Sequence, residues 1–276
     1  VDIELNELVQ LIVQRLEKSK AELKNFFLNS NKEVGVRYCY LDDLLPDSIA
    51  REIYNRFPTK EKMRFMSSFR EKKYTSKKFD DFDPLLRDIT FAIQDQKVIR
   101  VVEEITDIVH QKPDPSLYAG GLSLMEKGNY LNPHIDNSHE LTRTLYRTLN
   151  LLYYVNPDWK LDSGGNLELW DKSVKKQVTI ISKFNRLVIM ETNPWSWHSV
   201  SPVTADQNRI CVSNYYFSPT SPIGEEYFNV TSFSARPEQK LRRIYSYLDK
   251  HLRNFVRIII PRGLGKVDVY QNKNQK

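Results

Sequence analysis

The chain has 276 residues, enough for one large domain or two small ones with a sizeable buried core. Its 40% hydrophobic, 28% charged and 12% aromatic content excludes a long disordered or low-complexity chain, and no run of about 20 apolar residues is available to span a membrane. The net charge of +6 is uneven: residues 236–266 hold nine Lys/Arg against two acids.

Taken in chain order, residues 3–28 place Ile3, Leu5, Leu8, Val9, Ile12, Leu16, Leu23, Phe26 and Phe27 in helical steps with charges between them, which predicts an amphipathic helix. The first twenty residues carry acids early and no small-residue cleavage site, unlike a signal peptide. Residues 38–58 read as a short strand, a turn at Pro46 and a helix capped by Asp47 or Ser48. Residues 59–84 are polar, strongly charged and without period, which predicts a loop or irregular insertion; helix returns over 85–109. After Pro113 the runs "LYAGGLSLMEKGNYLNPHID", "TLNLLYYVNP", "GNLELWD", "KQVTIIS", "RLVIMET", "WHSVSPV" and "RICVSNYYFS" are short and β-rich, parted by turn residues about every ten positions, as in a sandwich or jelly roll. From Pro237 a helix is expected, with Leu241, Ile244, Leu248, Leu252 and Phe255 on one side.

The expected class is α+β: a helical part (1–115) packed on a β core (116–235), followed by a basic helical tail (236–276). No Gly/Ser/Pro-rich linker separates the first two, so a shared core is expected. Cys39 and Cys211 stand far apart in no metal-type spacing, which excludes a disulfide scaffold and suits a reducing, cytoplasmic setting. The basic tail suggests peripheral contact with an anionic membrane surface. A nucleic-acid partner is not expected, because the tail's charge is not interleaved with aromatic residues at a site mouth.

Two of the five histidines lie in "LNPHIDNSHE". On a strand, residues i and i+2 share a face, so His134 and Asp136 present an imidazole and a carboxylate side by side. His198, after the apolar strand "RLVIMET", supplies a third ligand. Two histidines and one carboxylate occupy one face of an octahedral ion and leave three positions for co-substrate and dioxygen. Arg209 begins the strand "RICVSNYYF" and shares a face with Ser213, giving a fork and a hydroxyl for a buried carboxylate. His139 is out of phase with the strand face and reads as a residue of the site mouth; His110 and His251 read as ordinary helical histidines. A satisfied surface histidine, a zinc enzyme of the cupin type, and a non-catalytic metal-binding jelly roll that holds a ligand are the competing readings.

The ordered set "HIDN", "LLYYVNPDW", "SGGNLELWD", "FNRLVIM", "WHSVSPV" and "RICVSNYYF" resembles the 2-oxoglutarate- and iron(II)-dependent dioxygenases, in particular their prolyl-4-hydroxylase-like branch, over roughly Tyr118–Ser218. The resemblance implies a double-stranded β-helix core, with Fe(II), 2-oxoglutarate and O2 as cofactor and co-substrates. It implies His134, Asp136 and His198 as iron ligands, and Arg209, Tyr154 and Ser213 around the distal carboxylate of 2-oxoglutarate. Arg147 aligns with an arginine at the pocket mouth, where Asn137, His139 and Glu140 add polar groups; Asn150 is a further substrate-contact candidate, and Leu167 and Tyr215 align with pocket walls. The implied activity is hydroxylation of an unactivated C–H bond in a polar small molecule, a sugar or glycan precursor, or a peptide side chain, with succinate and CO2 released; Asp136 fits a hydroxylase, because halogenating members have a small residue there. The alternative is a prolyl or other protein hydroxylase. Met125 departs from the tyrosine common in prolyl hydroxylases and weighs against proline itself.

Overall fold

The structure, a computed structural model, describes residues 3–76, 79–118, 120–240 and 243. Helices dominate its first part: α1 (Leu5–Asn29), α2 (Asp47–Asn55), α3 (Pro84–Ala92) and α4 (Gln96–Thr106). Along α1 the side chains of Leu8, Val9, Ile12, Leu16, Leu23 and Phe27 are buried, the apolar stripe that helical spacing dictates. That stripe packs on α3, α4 and the strand β1 (Tyr38–Leu41).

Two details differ from expectation. Neither Asp47 nor Ser48 caps α2: Asp47 is already its first residue, and its carboxylate pairs with Arg51 one turn on at 2.7 Å. The helical stretch 85–109 is two helices. Asp83 caps α3 by accepting from the Leu85 N–H, and Asp95 breaks the run by capping α4 through the Lys97 N–H.

The remaining strands are β2 (Arg64–Ser67), β3 (Glu71–Thr75), β4 (Gly121–Met125), β5 (Tyr130–Ile135), β6 (Tyr146–Tyr154), β7 (Leu167–Trp170), β8 (Gln177–Ile180), β9 (Arg186–Glu191), β10 (His198–Val200), β11 (Arg209–Ser218) and β12 (Ser232–Phe233). All their pairings are antiparallel. One layer runs β1-β9-β6-β11-β4 and the other β5-β10-β7-β8, with β3 pairing both β4 and β5 and so joining them. The sheet curls into the jelly-roll double-stranded β-helix.

Residues 59–84 are not an irregular insertion, because β2 and β3 form a hairpin there. Its residues are half-buried or exposed throughout, so no apolar alternation marks them as strands.

Strand alternation divides the larger layer into two faces. On β11, Ile210, Val212 and Tyr216 join the core under the helices, whereas Arg209, Cys211, Ser213 and Tyr215 line a cavity. On β6, Leu149, Leu151 and Tyr153 face the helices while Asn150 and Leu152 face the cavity. One apolar cluster runs from Leu8 and Phe27 of α1, through α2, α3 and α4, to Leu187 and Ile189 of β9. Polar ties cross the same boundary: Gln94 donates to Asn214 at 2.7 Å, and the Tyr216 hydroxyl donates to the Ile93 carbonyl.

Of the expected basic tail helix, all but residues 236–240 and 243 lies outside the described residues. Among the described residues no helix is long and apolar enough to cross a membrane.

Because helices and sheet share one cluster, truncating the fully buried Leu16 to alanine should destabilise both parts together, by about 2–5 kcal/mol. All four tryptophans lie between residues 159 and 197, so their fluorescence reports on the β part. Urea melts of Leu16→Ala followed by helical circular dichroism and by tryptophan fluorescence should shift by the same amount. A shift confined to the helical signal would mean that the helices fold as a separate unit.

Candidate metal centre

His134 lies in β5 and His198 opens β10, and the two residues sit directly opposite each other in the β5–β10 ladder. Their rings are 4.1 Å apart between centroids. Asp136 follows one residue after β5 ends, with Oδ1 at 3.6 Å from His134 Nε2 and Oδ2 at 3.6 Å from His198 Nε2. The candidate ligand atoms of all three lie within 4.8 Å of one another, and all three residues face a cavity of about 410 Å³.

The protonation of this cluster fits a cation. His134 Nδ1 stands 3.0 Å from the Asn132 carbonyl and His198 Nδ1 3.0 Å from the Ser196 carbonyl. A carbonyl only accepts, so Nδ1 carries a proton in both rings, and Nε2 is the ring atom turned to Asp136 in each. Burial, together with His198 nearby, pushes His134 down to about 3, so its imidazole is neutral near pH 7. Burial alone would raise Asp136, but His198, Arg147 and His134 together hold it at about 2, so it is a carboxylate. Asp136 Oδ2 is buried without a hydrogen-bond partner. An ionised, buried and unsatisfied carboxylate oxygen beside two imidazole Nε2 atoms is the donor set of a divalent metal.

Around it the fold supplies support. Arg147 is 1% exposed, with Nη1 at 3.5 Å from Asp136 Oδ2 and its guanidinium 3.9 Å from the centre of the Tyr215 ring. It therefore stands behind the carboxylate rather than at the cavity mouth that the family resemblance implied. Phe233 of β12 stacks on His134, with centroids 5.2 Å apart and planes 18° from parallel. Three residues on, Arg236 holds Glu168 of β7 by Nη2–Oε2 at 2.6 Å, and Glu168 accepts from Ser199, the neighbour of His198.

Arg209 lies on the wall of the same cavity and is 3% exposed. Its Nε donates to the Gly165 carbonyl at 3.0 Å, which fixes the fork and leaves the two terminal amino groups for a ligand. The "SGG" turn makes this approach feasible. Gly164 has φ +66°, and a Cβ there would lie 2.0 Å from the Pro202 carbonyl oxygen, so no other residue fits. The Tyr154 ring lies 4.9 Å from the Arg209 guanidinium, and its buried hydroxyl has no hydrogen-bond partner. Burial pushes that phenol up, so it is a neutral donor.

Ser213 lines the cavity and donates to the Gly121 carbonyl at 3.1 Å. Asn150, Leu167 and Tyr215 also line it, and the Asn150 Oδ1 is buried and unpaired. Asn137 and His139 do not line it. Asn137 donates to the His139 carbonyl, and His139 packs on Tyr146 with centroids 4.3 Å apart.

Sequence reading missed Phe233, Arg236, Glu168 and the β2–β3 hairpin. Only Glu168 left a signal, an acid inside the apolar strand "LELW". Strand β12 has two residues and no periodicity to read.

Residues 120–217 match the protein-family model described as the 2OG-Fe(II) oxygenase superfamily. Mouse prolyl 3-hydroxylase OGFOD1 is 31% identical over 115 residues, which are 36% of this chain and 21% of that protein. The chain thus spans about a fifth of the curated relative's length. Among solved structures, a prolyl hydroxylase from Trichoplax adhaerens, in complex with a hypoxia inducible factor oxygen degradation domain peptide, superposes with TM-score 0.52 at 20% identity, over 74% of this chain and 93% of that one. A Pseudomonas putida prolyl-4-hydroxylase gives TM-score 0.50 at 13% identity, over 71% and 98%. These two share the fold.

Replacing His198 with alanine removes one of three ligand atoms and leaves the β10 backbone in place. Calorimetric titration with Mn(II) should show one site in the wild-type protein and none at the same concentrations in His198→Ala, with unchanged circular dichroism. Equal Mn(II) binding by the variant would move the metal elsewhere.

Proposed function

We propose that the chain is an Fe(II)- and 2-oxoglutarate-dependent hydroxylase, a reading supported by the match of residues 120–217 to the 2OG-Fe(II) oxygenase superfamily model. The single observation that carries this reading is the grouping of two imidazoles and one carboxylate with Arg209 on the wall of the same cavity. His134, Asp136 and His198 would hold the metal. Arg209, with Tyr154 beside it, would hold the distal carboxylate of 2-oxoglutarate, while Ser213, four residues further along β11, donates to the Gly121 carbonyl instead. Iron with 2-oxoglutarate bound supplies the oxidising power: the substrate C–H becomes C–OH as O2 and 2-oxoglutarate become succinate and CO2.

The protein's own part is placement. Arg209 is held by Gly165 at Nε, so its open side fits a carboxylate bidentately with little further ordering. Arg147 balances the charge of Asp136 and keeps it ionised without using a metal position. The apolar cluster of Met125, Trp159, Val200 and Val203 beside the cavity limits water.

Similarity to proteins named as prolyl hydroxylases favours a peptide side chain over a sugar or a free metabolite as substrate. Met125, which lines the cavity, weighs against proline as the residue oxidised. Contact of residues 236–276 with an anionic bilayer rests on their positive excess and on the sequence spacing of Leu241, Ile244, Leu248, Leu252 and Phe255, and salt-sensitive cosedimentation with anionic vesicles is its test.

Losing a desolvated ion pair costs about 2–5 kcal/mol, roughly 30- to several-thousand-fold in affinity. Arg209→Ala should weaken 2-oxoglutarate binding to the Mn(II) form by that factor and abolish succinate release. Arg209→Lys should recover only part of it, because it loses the fork. Unchanged 2-oxoglutarate affinity in Arg209→Ala would rule out this anchor.

A further inference from the structure

Among the described residues, Asp136 is the one candidate ligand outside the strand ladders. His134 and His198 are fixed by the pairing of β5 with β10, whereas Asp136 lies one residue past the end of β5 and beyond its paired residues. A carboxylate on a loose strand end binds metal more weakly, in proportion to the fraction of time it spends in place.

What fixes it is the chain beyond β11. Asn229 Nδ2 donates to the Asp136 main-chain carbonyl at 2.8 Å. Two residues past Asp136, Ser138 and Asn229 are bridged in both directions. The Asn229 N–H donates to the Ser138 hydroxyl and the Ser138 N–H to the Asn229 carbonyl, each at 3.0 Å. The other end of the Asn229 amide, Oδ1, is buried without a hydrogen-bond partner, so the side chain serves through its NH2 alone.

The same segment goes on to the other two ligands. Ser232 and Phe233 pair with Ile135 and His134, the Ser234 N–H donates to the Pro133 carbonyl at 2.7 Å, and the Phe233 ring covers that of His134. Arg236 then pairs with Glu168, which accepts from Ser199 beside His198. Residues 229–236 so meet the three ligand positions in turn. None of their own side chains is in the ligand cluster, and Thr231 and Phe233 line the cavity. The attachment is narrow: β12 has two residues, and among the described residues it pairs with β5 alone. So short a strand opens and closes locally, without unfolding of the core.

Resting on the hydroxylase reading above, we infer that Asn229 is a positioning residue for Asp136, and that residues 229–236 form a strap whose docking and metal binding strengthen each other. Docked, the strap sets the Asp136 main chain and covers His134; undocked, it leaves the carboxylate free to turn away. Linkage makes the effect mutual: the factor by which docking raises metal affinity is the factor by which metal favours docking. A purely structural seal would stay closed equally well with or without metal.

The test is made on the full chain with Mn(II) as the probe. By calorimetry, Asn229→Ala that is folded by circular dichroism should bind Mn(II) about 10- to 100-fold more weakly than the wild type, the usual loss when a group that orients a metal ligand is removed. Hydrogen exchange followed by mass spectrometry needs no variant. Saturating Mn(II) should slow exchange across residues 230–235 of the wild type and leave the edge strand β8 unchanged. Wild-type protein that binds Mn(II) without slower exchange in 230–235 overturns the inference and leaves the hydroxylase reading standing. Slowing of the same size in β8 marks general stabilisation and overturns it too, as does full Mn(II) affinity in Asn229→Ala. Failure of the wild type to bind Mn(II) overturns the hydroxylase reading, and the inference falls with it.

Discussion

The antiparallel pairing of β5 with β10 is the constraint on which the centre depends, because it sets His134 opposite His198. A slip of one residue would send both imidazoles to the other face of the sheet. The register is secured from both sides. On the far side of β10, His198, Ser199 and Val200 pair with Leu169, Glu168 and Leu167 of β7. On β5, Ser232 and Phe233 of β12 pair with Ile135 and His134, and Phe233 also stacks on the His134 ring. The pair of partly buried Arg236 and buried Glu168 then fastens β12 to β7. Removing one partner of such a pair strands the other charge, at a cost of about 3–5 kcal/mol.

The two-faced strands of the larger layer couple this centre to the rest of the molecule. The side chains that face the helices are almost all apolar and share one core with α1, α3 and α4. The side chains that face inward include Arg209, Ser213 and Asn150 and share the cavity with the histidines. A site with this many buried polar groups destabilises the interior unless they are satisfied. Here some remain unsatisfied within the protein: Asp136 Oδ2, Asn150 Oδ1 and the Tyr154 hydroxyl. The helical layer offsets that cost with apolar burial on the opposite face of the same strands, and the polar groups are left for ligands to satisfy.

How much of this was legible in the sequence follows from where each signal lives. The strands of the core carry apolar alternation and turn residues, so β6, β9 and β11 could be read directly. The ligand set could be read because His134 and Asp136 are two apart on a strand, and because histidine is scarce in this chain. The β2–β3 hairpin could not, since both its faces meet solvent or a polar cavity and hydrophobicity never alternates. Strand β12 is too short for any period. The position of Arg147 depended on packing: the family resemblance implies a place at the pocket mouth, and only the fold shows it buried against Tyr215 and Asp136.

The central claim is that one metal and one 2-oxoglutarate share this cavity, the first held by His134, Asp136 and His198 and the second by Arg209 together with the metal. The dependence of 2-oxoglutarate binding on metal tests it most directly, measured by calorimetry on metal-free and Mn(II)-loaded protein. The account predicts one 2-oxoglutarate per chain in the loaded form, with affinity falling sharply when the metal is stripped, since the keto-acid end then loses its partner. Equal affinity with and without metal would contradict it.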